Sequence, residues 1–189
     1  PTRRSSDLEW PRVPLFWGDE RCVPPDHPDS NYRMARDAWL SRVPLPAGNI
    51  HRISGEQQPA EAAAEYEAVL RSFFEGAPAP RFDLVLLGLG DDGHTASLFP
   101  GSPVLHEERR WVSAVWVERL GAWRVTLTPP AINAAAHVLF LVAGAGKAER
   151  LREVLYGPHE PERLPAQVVA PVAGSLTWIT DAAAAALLP

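Results

Sequence analysis

Residues 82–101 contain the densest set of side chains able to bind a ligand or move a proton. The segment opens with an aliphatic run at residues 84–87, which is typical of a strand buried on both faces of a sheet. Five polar side chains follow this run: Asp91, Asp92, His94, Thr95 and Ser97. Polar groups at the end of a buried strand are costly unless they have a task, and open α/β sheets bind ligands at the carboxyl ends of their strands. We therefore interpret the segment as the active-site loop.

Three glycines in this loop, Gly88, Gly90 and Gly93, have the spacing of a dinucleotide-binding fingerprint. However, the two aspartates among them would place negative charge where the pyrophosphate of a dinucleotide meets a helix N-terminus. The Phe-Pro-Gly sequence at residues 99–101 also stops the long helix that the fingerprint requires. The residues therefore argue against a nucleotide, and the glycines are expected where the backbone turns with a positive φ or approaches a ligand closely.

Two further predicted strands also end in unusual polar residues, at residues 18–21 and 144–147. If the strands are parallel, both segments open on the same edge of the sheet as the glycine loop. Arg21 would then lie near Lys147, the only lysine of the chain, which stands at a predicted helix N-terminus. A guanidinium fork and a lysine point charge suit a phosphate group, whereas isolated surface cations would need no ligand. The agreement of three strand ends predicts a phosphate-binding site.

The loop is a weaker candidate for a metal centre or a covalent nucleophile. Its aspartates and His94 could supply metal ligands, but no second histidine stands at helical spacing from His94. Ser97 lacks the G-x-S-x-G elbow of hydrolases. Cys22 lies beside Arg21, which favours a thiolate, yet no histidine pairs with it in the sequence. Packing is therefore the expected role of Cys22.

Length and composition set bounds on the function. A chain of 189 residues with 46% hydrophobic and 22% charged residues is typical of one globular domain. A net charge of −5 leaves no domain-wide basic field, so a non-specific nucleic-acid binder is not expected. No apolar run approaches the roughly 20 residues of a membrane span, and a single cysteine fits a reducing compartment. We therefore expect a cytoplasmic protein that acts on a small molecule, as a monomer or a weak homodimer.

Alternating apolar strands and amphipathic helices predict the fold class. Strands are expected at residues 13–17, 84–87, 111–117, 123–128, 137–143 and 175–179. Helices are expected at residues 32–42, 60–74 and 148–155, with short helices after Pro129 and Asp181. The apolar stripes of the first two helices include Met34, Trp39 and Phe73, which would then face the core. The pattern is that of an α/β domain with a largely parallel sheet.

Residues 1–8, PTRRSSDL, have no apolar periodicity and resemble the translation of a sequencing-library adapter. We interpret them as a non-native leader and residues 9–189 as a single domain. The alternative is a disordered native terminus.

Five segments together resemble the 6-phosphogluconolactonase family, within the sugar-phosphate isomerase and deaminase superfamily. They are WGDERCVPPDHPDSNYRMA, GLGDDGHTASLFPGS, WRVTLTPPAIN, LVAGAGKAERL and AGSLTWITDAAA. The resemblance covers residues 10–188 and implies a Rossmann-like three-layer α/β sandwich with a mostly parallel sheet. It also implies hydrolysis of 6-phospho-D-glucono-1,5-lactone in the oxidative pentose phosphate pathway, without a metal or an organic cofactor.

The same resemblance implies roles for residues in the matching motifs. His94 becomes the general base, and Asp92 becomes its neighbouring carboxylate. The residues expected to bind the substrate and its phosphate are Arg21, Arg124, Lys147, Gly90 and Gly93.

The chain departs from the family pattern at its start. Family members begin with a βα unit whose glycine- and serine/threonine-rich loop helps to cradle the phosphate, and this unit has no counterpart in the sequence. The departure predicts an N-terminally truncated reading frame and a sheet without its first strand, with an apolar groove beside it. It also predicts little or no activity for the 189 residues alone, because binding energy from the phosphate positions the lactone.

Two other functions remain open. Glucosamine-6-phosphate deaminases have a similar GxDGH loop, but they carry a glutamate shortly after it and a tyrosine in place of Arg21. Residues 98–100 are Leu-Phe-Pro here, whereas an aldose–ketose proton shift needs a carboxylate or a similar acid/base. A non-catalytic sugar-phosphate sensor would not need both His94 and Asp92. The sequence favours the lactonase.

Overall fold

The computed structural model describes residues 8–189, so the expected leader lies outside the described residues apart from Leu8. The strands are β1 (Leu15–Phe16), β2 (Asp19–Arg21), β3 (Ile50–His51), β4 (Val85–Leu87), β5 (Val112–Val117), β6 (Ala122–Leu127), β7 (His137–Val142) and β8 (Ser175–Thr180). The α-helices are α1 (Asn31–Ala38), α2 (Pro59–Phe73), α3 (Pro129–Asn133) and α4 (Ala148–Tyr156). Between residues 8 and 189, no helix has the length and apolar character that crossing a bilayer requires.

Strand pairing confirms the α/β class and divides the strands among three sheets. β7 is the central strand of a parallel sheet with the order β4–β7–β8, and β1 pairs in parallel with β3. The third sheet, with the order β2–β6–β5, is antiparallel. β5 and β6 are joined by a tight turn in which Gly121 has a φ of +56°, a value that glycine adopts without strain. So short a connection makes two strands antiparallel neighbours.

Helix α2 packs on the antiparallel sheet and fixes the chain next to β2. Its residues Ala63, Tyr66 and Leu70 are almost fully buried, as their helical spacing predicts. The Tyr66 hydroxyl donates to the carbonyl oxygen of Trp17 (3.0 Å) and accepts the backbone N–H of Trp17 (2.8 Å). Burial raises the pKa of Tyr66, so the hydroxyl keeps its proton. These hydrogen bonds hold the segment that leads into β2 and its terminal Arg21.

One face of the parallel sheet remains exposed, together with an edge of β4. Leu84, Leu86, Leu141 and Ile179 are each about half exposed. In the part of the chain that the structure describes, β4 pairs only with β7 and β1 only with β3. Parallel sheets usually have both faces covered, so this surface is unusual. It agrees with the expected apolar groove beside the sheet.

The apolar stripes of α1 and α2 are more exposed than the sequence predicted. α1 ends at Ala38 rather than at residue 42, and Met34 is 64% exposed. Trp39 is 37% exposed and Phe73 is 47% exposed, whereas Leu40 in the 3₁₀ turn that follows α1 is buried. Helical spacing identifies an apolar stripe, but it does not say whether another element covers that stripe.

The alanine-rich tail after Asp181 forms turns instead of the predicted helix. The Asp181 carboxylate accepts the backbone N–H of Ala184 (2.7 Å), as a helix cap would. It also accepts the N–H of Gly144 (3.0 Å), which ties the tail to the end of β7. A segment of so few residues gains little from helix formation on its own, so this tie determines the conformation.

Candidate active site

The loop after β4 is folded by hydrogen bonds within itself. The Gly90 N–H donates to the carbonyl oxygen of His94 (2.8 Å), and the Gly93 N–H donates to that of Gly90 (3.1 Å). The Thr95 hydroxyl donates to the carbonyl oxygen of Gly88, where β4 has just ended (2.8 Å). Gly93 has a φ of +85°, which a residue with a side chain rarely adopts. The loop therefore turns back on the end of β4 and fixes the backbone of His94.

Gly90 allows the imidazole ring of His94 to lie directly against the backbone. A Cβ atom at residue 90 would stand 2.0 Å from Nδ1 and 2.2 Å from Cε1 of His94. The N–H groups of Gly90 and Gly93 both donate to carbonyl oxygens of the loop. The two predicted glycines thus shape the loop around His94, and their N–H groups already have acceptors.

His94 and Asp92 form the central pair of the loop. The ring Nδ1 of His94 lies 2.5 Å from Oδ1 of Asp92, and the same oxygen accepts the backbone N–H of His94 (3.1 Å). The side chains are only 24% and 23% exposed, and the His94 ring stacks on Phe99 with centroids 4.2 Å apart. Burial disfavours the charged Asp92, but the hydrogen bonds from His94 and the charge of Arg119 outweigh it and lower the pKa of the Asp92 carboxyl. Asp92 is therefore an ionised partner that orients the His94 ring.

Arg119 is a third member of this group, and no sequence motif indicated its contact with Asp92. Its Nη2 lies 3.2 Å from Oδ2 of Asp92. Arg119 belongs to the 3₁₀ turn Glu118–Leu120 that connects β5 and β6. Only the packing of the hairpin against the glycine loop brings the two residues together, so their spacing in the sequence gave no signal.

His94 lines a cavity of about 630 Å³ together with two of the predicted cations. Arg21 lies at the end of β2, and its Nη1 donates to the carbonyl oxygen of Asp29 (2.5 Å). Lys147 lies immediately before α4 and forms an ion pair with Asp91. The three strand ends that the sequence grouped together therefore meet at one cavity.

Arg124 lies beside Arg21 but does not line the cavity of His94. The two arginines are Cα partners in the antiparallel pair of β2 and β6. Arg124 borders a neighbouring cavity of about 460 Å³, together with Cys22. Burial, followed by the charge of Arg21, lowers the pKa of the Arg124 guanidinium. Arg21 and Lys147 thus share a cavity with His94, as expected, whereas Arg124 lines the neighbouring cavity.

Neither of the two weaker nucleophile candidates lines the cavity of His94. Ser97 is 1% exposed, and its Oγ donates to Oδ2 of Asp19 (2.7 Å). Burial raises the pKa of the Cys22 thiol, and the nearby Arg124 offsets this only in part. Ser97 instead holds Asp19, a carboxylate that lines the cavity and belongs to the same polar strand end as Arg21.

Glu20 is a buried carboxylate between two residues that line the cavity. The Glu20 side chain is 2% exposed, and its two carboxylate oxygens accept four hydrogen bonds. The donors are the backbone N–H groups of Arg21 (2.8 Å), Asn31 (2.7 Å) and Tyr32 (2.8 Å) and the hydroxyl of Ser30 (3.0 Å). The alternation of side chains along a strand could have indicated that Glu20 is buried, because Glu20 and Arg21 must point to opposite faces of β2.

Comparisons with known proteins agree with one another. Residues 2–178 match the family described as glucosamine-6-phosphate isomerases/6-phosphogluconolactonase. A 6-phosphogluconolactonase of Nostoc sp. is 47% identical over 184 residues, covering 96% of this chain and 75% of that protein. A 6-phosphogluconolactonase of Synechocystis sp. is 47% identical over 177 residues, covering 92% of this chain and 72% of that protein.

Solved structures give the same picture. The structure of a devB protein has a TM-score of 0.91 at 36% identity, covering 100% of this chain and 79% of that chain. The 6-phosphogluconolactonase from Trypanosoma cruzi has a TM-score of 0.81 at 35% identity, covering 93% of this chain and 72% of that chain. The chain thus spans about three quarters of the length of these proteins.

Proposed function

Because this chain belongs to the glucosamine-6-phosphate isomerase/6-phosphogluconolactonase family, we propose that it hydrolyses 6-phospho-D-glucono-1,5-lactone to 6-phosphogluconate. This reaction is a step of the pentose phosphate pathway. The proposal also assigns the enzyme to the cytoplasm, as a monomer or a weak homodimer that uses no metal or organic cofactor.

One observation carries the assignment of the chemistry to this site. His94, whose ring nitrogen Nδ1 contacts Asp92, lines the same cavity as Arg21 and Lys147. A lactone hydrolase needs one base for water and one cationic region for a phosphate, and the cavity offers both. The δ-lactone is a reactive ester, so activation of water is sufficient and no covalent intermediate is required.

The hydrogen bond to Asp92 assigns the two ring nitrogens of His94 to different tasks. Nδ1 holds the proton that is shared with Asp92, so Nε2 is the nitrogen that accepts a proton from water. As that proton leaves, the water oxygen bonds to C1 of the lactone and forms a tetrahedral intermediate. The imidazolium then returns its proton to the ring oxygen while the bond between C1 and that oxygen breaks. The products are the open-chain acid and a regenerated neutral His94.

The two cations of the cavity divide the negative charges of the substrate between them. Lys147 and the N-terminus of α4 bind the phosphate, for which a helix start and an ammonium group are both suited. The N–H groups of Gly90 and Gly93 already have acceptors in the loop, so the developing oxyanion is assigned to Arg21. Arg124 lies beside Arg21 on the neighbouring strand and strengthens the positive potential there.

The activity itself is tested with the purified protein expressed from its complete gene. Release of acid from 6-phosphogluconolactone is expected to exceed spontaneous hydrolysis by far, while glucosamine 6-phosphate is not deaminated. Gluconolactone without the phosphate is expected to react poorly, because it cannot pair with Lys147. A protein that does not accelerate hydrolysis of the phosphorylated lactone would refute the proposal.

Lys147→Ala is expected to raise KM about ten- to a hundredfold with a smaller effect on kcat. A charge-assisted hydrogen bond is worth about 1.5–3 kcal/mol, and each 1.4 kcal/mol corresponds to a factor of ten. Arg152→Ala is the matched control, because Arg152 is an exposed cation of α4, the helix that Lys147 precedes. If the two variants have the same KM, Lys147 does not bind the substrate.

Gly90→Ala is expected to lower kcat by about 10²-fold, because the added methyl group must displace the His94 ring from Asp92. Gly88→Ala is the matched control, since a Cβ atom at Gly88 would meet no atom within 4 Å. Steady-state kinetics and thermal unfolding of both variants separate a displaced ring from a damaged fold. Equal kcat values for folded Gly90→Ala and Gly88→Ala would contradict the close approach of the ring.

A further inference from the structure

The two oxygens of the Asp92 carboxylate have different partners. Oδ1 contacts the ring and the backbone N–H of His94, whereas Oδ2 lies 3.2 Å from Nη2 of Arg119. The terminal torsion of an aspartate side chain is soft, so a carboxylate held at one oxygen rotates easily. A carboxylate that is held at both oxygens by groups on different elements is fixed. Arg119 therefore restrains the group that orients the His94 ring.

Arg119 is itself held by a second contact, with Phe99. Its guanidinium carbon lies 5.3 Å from the centroid of the Phe99 ring, within the range of a cation–π interaction. The same ring stacks on His94 at 4.2 Å. His94, Asp92, Arg119 and Phe99 thus form a closed set of contacts. This arrangement fixes the guanidinium although the Arg119 side chain is 54% exposed.

Other charged groups around His94 already have partners. Asp91 on the same loop is paired with Lys147, which precedes α4. Arg21 on β2 donates to a backbone carbonyl oxygen, and Asp19 on β2 accepts from Ser97. Among residues 8–189, Arg119 is therefore the cation in ion-pair contact with the His94–Asp92 pair.

We propose that Arg119 is a positioning residue for the lactonase reaction, which acts by fixing Asp92 and by moderating the pull of its carboxylate on the imidazolium of His94. The inference rests on the proposed function, because it assigns a task within that mechanism. Without Arg119, the Asp92 carboxylate would attract the protonated His94 ring more strongly. It would also be free to rotate, so the orientation of the ring would be less well defined. His94 would then accept a proton in the wrong geometry and return it less readily to the ring oxygen.

A merely structural role for Arg119 makes a different prediction. An exposed ion pair contributes about 0–1 kcal/mol to stability, so its loss alone would leave kcat and its pH dependence unchanged. The discriminating measurements are therefore kcat as a function of pH and the ring ¹⁵N shifts of His94. Thermal unfolding alone would not separate the two roles.

The experiment compares Arg119→Ala, Arg119→Gln and Arg119→Lys with Arg163→Ala as the control. Arg163 is a similarly exposed arginine whose ion-pair partners are Glu160 (2.7 Å) and Glu153 (3.1 Å) rather than Asp92. Arg119→Ala and Arg119→Gln are expected to lower kcat about tenfold, as loss of a group that orients a functional histidine does elsewhere, with KM within about twofold. The low-pH limb of the kcat profile is expected to move to higher pH. Arg119→Lys is expected to keep most of the kcat and most of the original position of the low-pH limb. Arg163→Ala is expected to change neither kcat nor that limb.

The outcome separates this inference from the proposed function. Suppose that the unsubstituted protein is active and that its activity depends on His94. If Arg119→Gln then keeps the same kcat and the same low-pH limb, the positioning role is wrong and the proposed function stands. If the parent enzyme has no lactonase activity, the proposed function is wrong. The ¹⁵N titration of His94 in Arg119→Gln then still tests the contact, because it needs no turnover, and an unchanged titration would overturn the inference.

Discussion

His94→Asn is expected to lower kcat for the lactone by about 10²–10⁴-fold, the range for loss of a general base, with little change in KM. Asparagine is similar in size and keeps a polar group near Asp92, but it cannot accept a proton from water at neutral pH. The substrate would still bind through Arg21 and Lys147, which is why the loss falls on kcat. Steady-state kinetics at several pH values measure both parameters.

His106→Asn is the matched control for this prediction. His106 is an exposed histidine, and its Nε2 lies 2.8 Å from a carboxylate oxygen of Glu162. Its replacement is expected to leave kcat and KM unchanged. A near-normal kcat in His94→Asn would rule out the base, and a covalent adduct trapped on Ser97 or Cys22 would rule out direct attack by water.

Glu20→Ala is expected to lower the free energy of unfolding by about 3 kcal/mol or more. Four donors lose their acceptor, and each buried donor left without one costs about 1–3 kcal/mol. For a domain of this size, such a loss lowers Tm by about 6–12 °C. Two of the donors are backbone N–H groups at the start of α1, so local unfolding is expected to begin there. Thermal denaturation and hydrogen exchange of Asn31 and Tyr32 measure both effects.

Glu149→Ala is the control for Glu20→Ala, because Glu149 is an exposed glutamate in the first turn of α4. Its replacement is expected to cost less than about 1 kcal/mol, the usual value for an acidic side chain near a helix N-terminus. Glu20→Gln should lie between the two, since one acceptor oxygen remains. Equal Tm values for Glu20→Ala and Glu149→Ala would show that the buried carboxylate contributes nothing to stability.

The loop and the fold class were predictable because each depends on local chemistry. An aliphatic run followed by glycines and acidic residues permits few structures, and the segment from Gly88 to His94 forms the expected loop after β4. Arg21 and Lys147 could be grouped with it because both follow apolar strands. The exposed apolar edge of β4 was likewise expected.

The residues that the sequence did not reveal depend on the packing of distant segments. Arg119 lies in the turn between β5 and β6 and contacts Asp92. No sequence motif indicates against which segment a hairpin packs. Arg124 lies directly across from Arg21 in the antiparallel pair of β2 and β6, yet it lines the neighbouring cavity, and spacing alone gives neither placement. Met34 was expected to be buried because periodicity records the pattern of a helix surface but not its neighbours.

The proposed base, His94, and its carboxylate partner, Asp92, belong to one short turn. Because Asp92 and His94 are two residues apart and the turn closes its own hydrogen bonds, their mutual geometry is inherited as a unit. Substitutions in the elements that carry Arg21 and Lys147 would leave the geometry of Asp92 and His94 unchanged. If His94 and Asp92 are the proton-transfer groups, substitutions in the cavity walls are expected to change substrate preference while the geometry of this pair is kept.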